Sequence, residues 1–480
     1  MKNFDLIIIG GGAGAFAAAI RANEPKAKTA MINAGLPLGG TCVNVGCVPS
    51  KTLLWAGEVM HHARNHGIPG VTIEVKSFDF QKVIQDELDL VERLRKEKYE
   101  KVLPHLEQVT VREGKAKFVT QNEVEVNGEK LSADKFIIAA GSTAHVPPID
   151  GIRETGFVTH VEALKLKEQP KELIVVGAGA LGLEFGQMYA RFGTKVTILQ
   201  RDNSVFPRTE QALTDRLAEI LTKEGITIKT NVEVLKAYKE GNKKVLEYRQ
   251  TDSSASTPSF AGGFEGHRKA MGDTILLAAG KTPNTQGLGL DAAGVVIDKR
   301  QAVVVNQILQ TSNKNIFAVG DITNGPLRLE PTAGHEGTLA AQNALTNSQE
   351  SIDYNSVPYT VFTDPQLAGV GFTEDAQMKK MGVCACRTVS FEDVPKAIIM
   401  RRTEGLIKMA IHPSTKQIMG VHMLAPGAGE LIAEAMMLVK NKNTIDDVIS
   451  SLPMFPTLSE AIKLVALSFT RDISKLSCCI

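Results

Sequence analysis

At 480 residues the chain is long enough for about three domains of ordinary size. Its 54 Lys and Arg nearly balance 53 Asp and Glu, so no overall field draws it to nucleic acid or to an anionic membrane, and neither partner is expected. Six cysteines fall as three close pairs, Cys42/Cys47, Cys384/Cys386 and Cys478/Cys479; this spacing suits redox or metal chemistry in a reducing, cytoplasmic setting better than a secreted disulfide framework.

The first element is an apolar run, DLIIIGGGAGAFAAA from Asp5, whose glycines have the spacing of a phosphate loop and not of a signal peptide. ELIVVGAGALGLEFG, from Glu172, repeats it. Each passes from a β-rich run through a glycine turn into a helical stretch, giving Gly10, Gly12 and Ala15 in one copy and Gly177, Gly179 and Gly182 in the other. Such turns let a pyrophosphate approach the amides of a helix N-terminus, where the peptide dipoles favour negative charge. The copies lie 167 residues apart, and a second apolar strand ends 23 residues after the first glycine of each, at Asn33 and at Gln200. Two dinucleotide sites are therefore expected.

Between the first loop and a polar helix lies GGTCVNVGCVPSK, Gly39 to Lys51. One helical turn and a little more brings Cys42 and Cys47 within bonding distance, as a disulfide, a dithiol or a metal clip. The stretch DELDLVERLRKEKYEK, from Asp86, reads as a solvated amphipathic helix, and His61 and His62 read as surface residues. IFAVGD places Asp321 at a strand end, where it can bond a ribityl or ribose hydroxyl or cap a helix. From Val357 the runs YTVFTD, LAGVGFT, GLIKMAIH and IMGVHML, followed by the helix ELIAEAMMLVK, predict an α+β domain. In Cys384-Ala385-Cys386 the two sulfurs would share one strand face, and the pair is read as packing.

The cysteine motif, both glycine loops, AAGSTA at Ala139 to Ala144, AAGKTPN at Ala278 to Asn284 and VGDI at Val319 to Ile322 together resemble the pyridine nucleotide-disulfide oxidoreductases, over essentially the whole chain. That family includes glutathione reductase, dihydrolipoyl dehydrogenase and mercuric reductase. The resemblance implies an α/β fold with two Rossmann-like dinucleotide-binding domains and a C-terminal α+β dimerisation domain that makes a homodimer. The expected boundaries are 1–150 with 272–352 for FAD, 151–271 for NADPH and 353–480 for the interface. It also implies that Cys47 is the sulfur nearest the flavin, that Cys42 exchanges with substrate, and that Lys51 pairs with Glu184. Thr41, Ala116, Gly141 and Asp321 match flavin contacts. Asn33 stands where an acid usually meets the adenosine ribose, which turns that contact into a neutral hydrogen bond. At the second site Gln200 is not an acid, and Arg201 and Arg208 follow it, which favours the 2′-phosphate of NADPH.

The C-terminus bears on the substrate. Where thiol-reducing relatives carry a proton-shuttling histidine, this chain reads Phe455-Pro456-Thr457-Leu458-Ser459-Glu460, and phenylalanine carries no proton. The chain ends Cys478-Cys479-Ile480, two soft thiols suited to a low-coordinate ion such as Hg(II). With SFTRD before it, LSCC resembles the mercuric branch of the family. The expectation is a catalytic core without a separate N-terminal metal-binding domain, in which Cys478 and Cys479 receive Hg(II) from small thiols and pass it to Cys42 and Cys47 of the partner subunit. A dihydrolipoyl-type thiol oxidoreductase and a mercury-sequestering thiol protein are the alternatives.

Overall fold

Both glycine repeats open on a parallel strand that is buried on its two faces, as their unbroken apolar runs require. A computed structural model describes residues 2–250 and 267–477. The chain divides into two units: Met1–Thr52 with Lys82–His145 and Gly280–Tyr354, and Leu53–Gln81 with Val146–Ala279 and Asn355–Ile480. Among the described residues, no helix is long and apolar enough to cross a membrane.

In the first unit the parallel strands Val109–Glu113, Thr29–Asn33, Lys2–Ile9 and Glu129–Ile138 lie side by side in that order, and Ile316–Ala318 pairs with the end of the last. The start of Glu129–Ile138 turns instead to an antiparallel extension through Glu123–Val126 and Ala116–Thr120. Side chains of Lys2–Ile9 alternate between two cores. Ile7 and Ile9 join Phe118, Val124 and Phe136, whereas Leu6 and Ile8 meet the helices Ala13–Asn23 and Glu330–Thr346. Those helices touch closely because both contact positions are glycines: a Cβ on Gly337 would stand 2.1 Å from the Gly14 carbonyl oxygen. Truncating Ile8, which is fully buried, to alanine would cost about 2–5 kcal/mol.

Among the described residues the second unit holds three sheets. Parallel strands Thr227–Lys229, Lys195–Leu199, Glu172–Val176 and Thr274–Leu277 carry the second glycine loop. A three-stranded antiparallel sheet, Val232–Glu240, Lys243–Gln250 and Arg268–Gly272, contributes Leu246, Tyr248 and Ala270 to a core shared with Ile174, Val176 and Leu277. The third sheet is antiparallel and five-stranded, ordered Tyr359–Val361, Gln366–Gly371, Ile418–Ala425, Leu406–Ile411 and Ala385–Ser390. The helices Ala428–Lys440 and Glu460–Leu467 pack on it through Ile432, Ala435, Ile462 and Val465. The predicted α/β class with a C-terminal α+β part is what forms.

The helix expected from Asp86 begins earlier, at Phe80, runs to Arg95 and continues as one wide turn, Lys96–Glu100. It is not simply solvated, because Ile84, Glu87 and Val91 are buried.

Candidate active site

At the first loop, Gly10 has φ +137°, and a Cβ there would lie 2.2 Å from the Ala139 carbonyl oxygen. The helix that follows starts at Gly12 with no side-chain cap and no acid in its first turn, so its amides are free of an internal anion. The second loop repeats this. Gly177 has φ +105°, a Cβ on Gly182 would sit 1.9 Å from the Gly177 carbonyl oxygen, and one on Gly179 would meet nothing within 4 Å. Its helix, Ala180–Phe192, is likewise uncapped and without an acid in the first turn. Both loops therefore fit a dinucleotide pyrophosphate, with glycine where the backbone must approach and uncapped amides where charge must be met.

The cysteine motif packs directly on the first loop. Gly39 N donates to Gly11 O at 2.8 Å, and a Cβ on Gly40 would come within 2.6 Å of the Gly12 Cα. Asn44, buried, donates to the carbonyls of Pro37, Leu38 and Gly40 and fixes the turn. The helix expected to carry both sulfurs is in fact two. Gly40–Val45 ends at Gly46, with φ −133° and ψ −111°, and Cys47–Asn65 begins immediately after. A Cβ on Gly46 would lie 2.8 Å from Thr41 O and 3.2 Å from the Cys42 Cα. This break presents Cys47 at the first turn of its own helix, where the peptide dipoles favour a thiolate.

Both cysteines are free thiols hydrogen-bonded to each other. The bond raises the Cys42 pKa far above the usual thiol range, with burial adding to it. It lowers that of Cys47, and the Lys51 ammonium lowers it further. The bond thus favours the proton on Cys42 and negative charge on Cys47.

Three further residues act on this charge. Glu330, first in its helix, opposes ionisation of both cysteines. Lys281 interacts with the charges of Asp321 and Cys47, while burial lowers its own pKa. Tyr99 stands edge-on to Phe16 at 4.9 Å; burial, with repulsion from Glu330, pushes its phenol up to about 12. None of the three was singled out from the sequence. Tyr99 lies in a charged run that reads as surface, and only folding returns it to residue 39, where its ring would meet a Gly39 Cβ at 2.9 Å.

The AAGSTA and AAGKTPN segments form a two-stranded ribbon, Ser142–Ala144 against Lys281–Pro283. Beside it, Ser142 Oγ donates to Asp321 Oδ2 at 2.7 Å, and Asp321 lies within the short 3-10 turn Gly320–Ile322. Gly141 has φ +66° with open space around it, Ala116 is buried at the start of its strand, and Thr41 is exposed. Asn33 is buried, and its Nδ2 donates to Leu36 O at 3.0 Å and to both Glu113 carboxylate oxygens at 3.2 Å. An acid therefore stands beside this strand end, supplied by the neighbouring strand.

In the second unit Gln200 Oε1 accepts the Ala178 amide at 2.9 Å, and its Nε2 donates to Asp202 at 3.1 Å. Arg201 and Arg208 are exposed, and Arg201 lies 3.9 Å from Asp202. Glu184 is buried and accepts the Phe362 amide at 2.8 Å. Phe455 is exposed, as are Leu452 and Met454, and Glu460 caps the turn before its helix by accepting from Thr457 N at 3.1 Å. Cys478 and Cys479 lie outside the described residues.

Two expectations need correction. Cys384 and Cys386 do not pack in the core but form a disulfide. His62 is no bland surface residue: its Nε2 lies 3.1 Å from Asp364 and 3.5 Å from Glu58. Arg191 and Arg402 also hold Asp364, and with Glu224 and Arg401 these side chains line a cavity of about 470 Å³. The contacts with Asp364 and Glu58 raise the His62 pKa to about 9, and His62 with the two arginines holds Asp364 well below the usual carboxylate range.

Residues 4–344 match the model of the pyridine nucleotide-disulphide oxidoreductases, and 357–466 match that family's dimerisation domain. A mercuric reductase of Staphylococcus aureus is 36% identical over 99% of this chain and 84% of its own length. One from Streptomyces lividans is also 36% identical, over 99% of this chain and 98% of that protein. Among solved structures, the Cu(II) complex of the HOCl-induced flavoprotein disulfide reductase RclA from Escherichia coli superposes with a TM-score of 0.84 at 27% identity, covering 98% of this chain and all of that one. With two uncapped glycine loops and a hydrogen-bonded cysteine pair between them in sequence, the chain belongs to the pyridine nucleotide-disulphide oxidoreductases, flavoenzymes that use FAD and a pyridine nucleotide.

Proposed function

We propose that this enzyme reduces Hg(II) to Hg(0) with NADPH, and that Cys42 and Cys47 are the seat of the ion. The observation that carries the reading is the pair itself: two free cysteines, hydrogen-bonded to each other where one short helix ends and the next begins, are a two-sulfur clamp for a soft ion. Hg(II) bound by the Cys47 thiolate and then by Cys42 releases the Cys42 proton. Two electrons then convert the ion to Hg(0), which leaves, and a proton returns to Cys42. Overall, NADPH and Hg(II) give NADP⁺, H⁺ and Hg(0). Because the product carries no proton, Phe455 in place of a proton-shuttling residue is no handicap.

FAD, when bound, supplies the two-electron link between the nicotinamide and the sulfur pair. Gly10, Gly12, Ala15, Asn33, Thr41, Ala116, Gly141 and Asp321 are assigned to holding it, with Lys51 near the ring and Glu184 as the ammonium's counter-ion. Gly177, Gly179 and Gly182 take the pyrophosphate of NADPH, and Arg201 and Arg208 its 2′-phosphate. The proposed organisation is 1–150 with 272–352 for FAD, 151–271 for NADPH and 353–480 for the interface of a cytoplasmic homodimer. Cys478 and Cys479 collect Hg(II) from small thiols and hand it on by thiol exchange to the partner subunit.

The mercuric reductases among its relatives support this reading. A second reading, in which the ion acted on is Cu(II), is favoured by the copper complex of the RclA structure. Parallel anaerobic assays with Hg(II) and Cu(II), each with NADPH and excess small thiol, separate them. Mercury vapour released in step with NADPH loss supports the first. Copper-dependent oxidation without mercury turnover supports the second.

A further inference from the structure

The pair Cys384/Cys386 has no part in the reaction proposed above, yet its surroundings are those of a built site. The strand Ala385–Ser390 is the edge of its sheet and pairs on one side with Leu406–Ile411. Side chains alternate along a strand, and Ala385 and Val389 pack on the core. Cys384 and Cys386, on either side of Ala385, therefore turn to the opposite face, where both are partly exposed. Their Cα atoms are 6.2 Å apart, within bridging range, and the sulfurs are joined.

Other contacts hold this backbone in place. The fully buried Gln377 donates through Nε2 to Val383 O at 3.1 Å and to Ile411 O at 3.0 Å, pinning the turn before Cys384. On the far side, Arg387 donates to Cys386 O at 3.0 Å and to Ser468 O at 3.3 Å, and its guanidinium lies 5.4 Å from the Phe469 ring. Opening the bridge would leave two thiols side by side where a pinned turn enters the strand.

We propose that Cys384 and Cys386 form a second soft-ion site, opened by reduction and independent of the flavin centre. A small thiol attacks one sulfur and a second thiol completes the exchange. The cystine becomes two cysteine thiols, and two small thiols become one disulfide. The freed dithiol then takes one thiophilic ion such as Hg(II), forming two S–Hg bonds and releasing two protons. In the oxidised state shown here the site is closed. The inference rests on thiol chemistry and strand geometry, not on the enzyme's turnover.

The test compares the full-length FAD-loaded protein with Cys384→Ser/Cys386→Ser, each before and after treatment with dithiothreitol and anaerobic desalting. Titration with mercuric chloride, followed by gel filtration, counts mercury retained per subunit. The wild type should gain one equivalent on reduction that the variant does not gain. Alkylation and mass spectrometry of the folded wild type should show residues 384 and 386 becoming modified only after reduction, which requires no variant. Turnover of Hg(II) with NADPH should stay within about twofold of wild type in the double variant, since neither sulfur takes part in the reaction proposed above. Equal mercury retention by the two reduced proteins, or a bridge that resists reduction in the folded protein, overturns the proposal. A difference in retention with no NADPH-driven mercury loss leaves it standing and rejects the catalytic reading instead.

Discussion

Cys42 gives its thiol proton as a hydrogen bond to Cys47, and that bond moves the two sulfurs' acidities in opposite directions. The asymmetry comes from position. Cys42 lies within a short helix and faces the charge of its neighbour, whereas Cys47 opens a new helix with Lys51 one turn on.

Replacing Lys51 with methionine removes the cation that stabilises the Cys47 thiolate, so the Cys47 pKa should rise. Below the ordinary thiol range, alkylation of reduced enzyme by iodoacetamide should slow several-fold, and its pH profile should shift to higher pH. An unchanged profile would show that the bond from Cys42 alone sets the thiolate.

Gly46→Ala puts a methyl 2.8 Å from Thr41 O, at the break that lets the two cysteine helices meet. A shift of one helix start of that kind costs about 1–3 kcal/mol. The melting temperature should fall, and activity should fall by much more than stability explains, since the sulfurs would no longer share a proton. Kinetics at a temperature where the variant remains folded check this.

Asn33→Asp would supply the acid common at this strand end, yet it should not tighten FAD binding. The change deletes the donor that meets Leu36 O and both Glu113 oxygens, and it sets one carboxylate against another. Loss of a buried partner costs about 1–3 kcal/mol, so stability should fall. Adding Glu113→Gln should recover most of it, as read by thermal unfolding of the three proteins.

The His62 cluster predicts a pH window for stability. With a folded pKa of about 9 against 6.5 when free, His62 contributes fully below about 6.5, and its contribution disappears as the pH rises through 9. Asp364, held low by the same cluster, contributes above its ordinary value of 3.8 and loses that effect on acidification. Melting temperature should decline from pH 6.5 to 9.5 in wild type and much less in His62→Gln. Parallel curves would remove His62 as the cause.

How much of this was legible in the sequence depends on the range of the interaction. The glycine loops, the strand before each and the α+β C-terminal part follow from local pattern, because a tight turn needs glycine and a buried strand needs an apolar run. The break at Gly46 was not legible: a helical spacing of cysteines reads as one helix until Thr41 O is seen so close to Gly46 that a side chain there would collide with it. Glu113 beside Asn33, and Tyr99 beside Gly39, join residues 80 and 60 positions apart, and neither partner carries a local signal. The disulfide at Cys384 and Cys386 was half legible. Strand spacing put both sulfurs on one face, but only the packing of Ala385 against the core shows that this face is the outer one.

The most direct test of the central claim is anaerobic single turnover. Enzyme carrying FAD is reduced with one equivalent of NADPH and mixed with one equivalent of Hg(II) and excess small thiol, while mercury vapour and flavin absorbance are followed together. Wild type should release Hg(0) as the flavin reoxidises, and Cys47→Ala should release none. Reoxidation without mercury vapour, or equal release from the Cys47→Ala protein, would contradict the account.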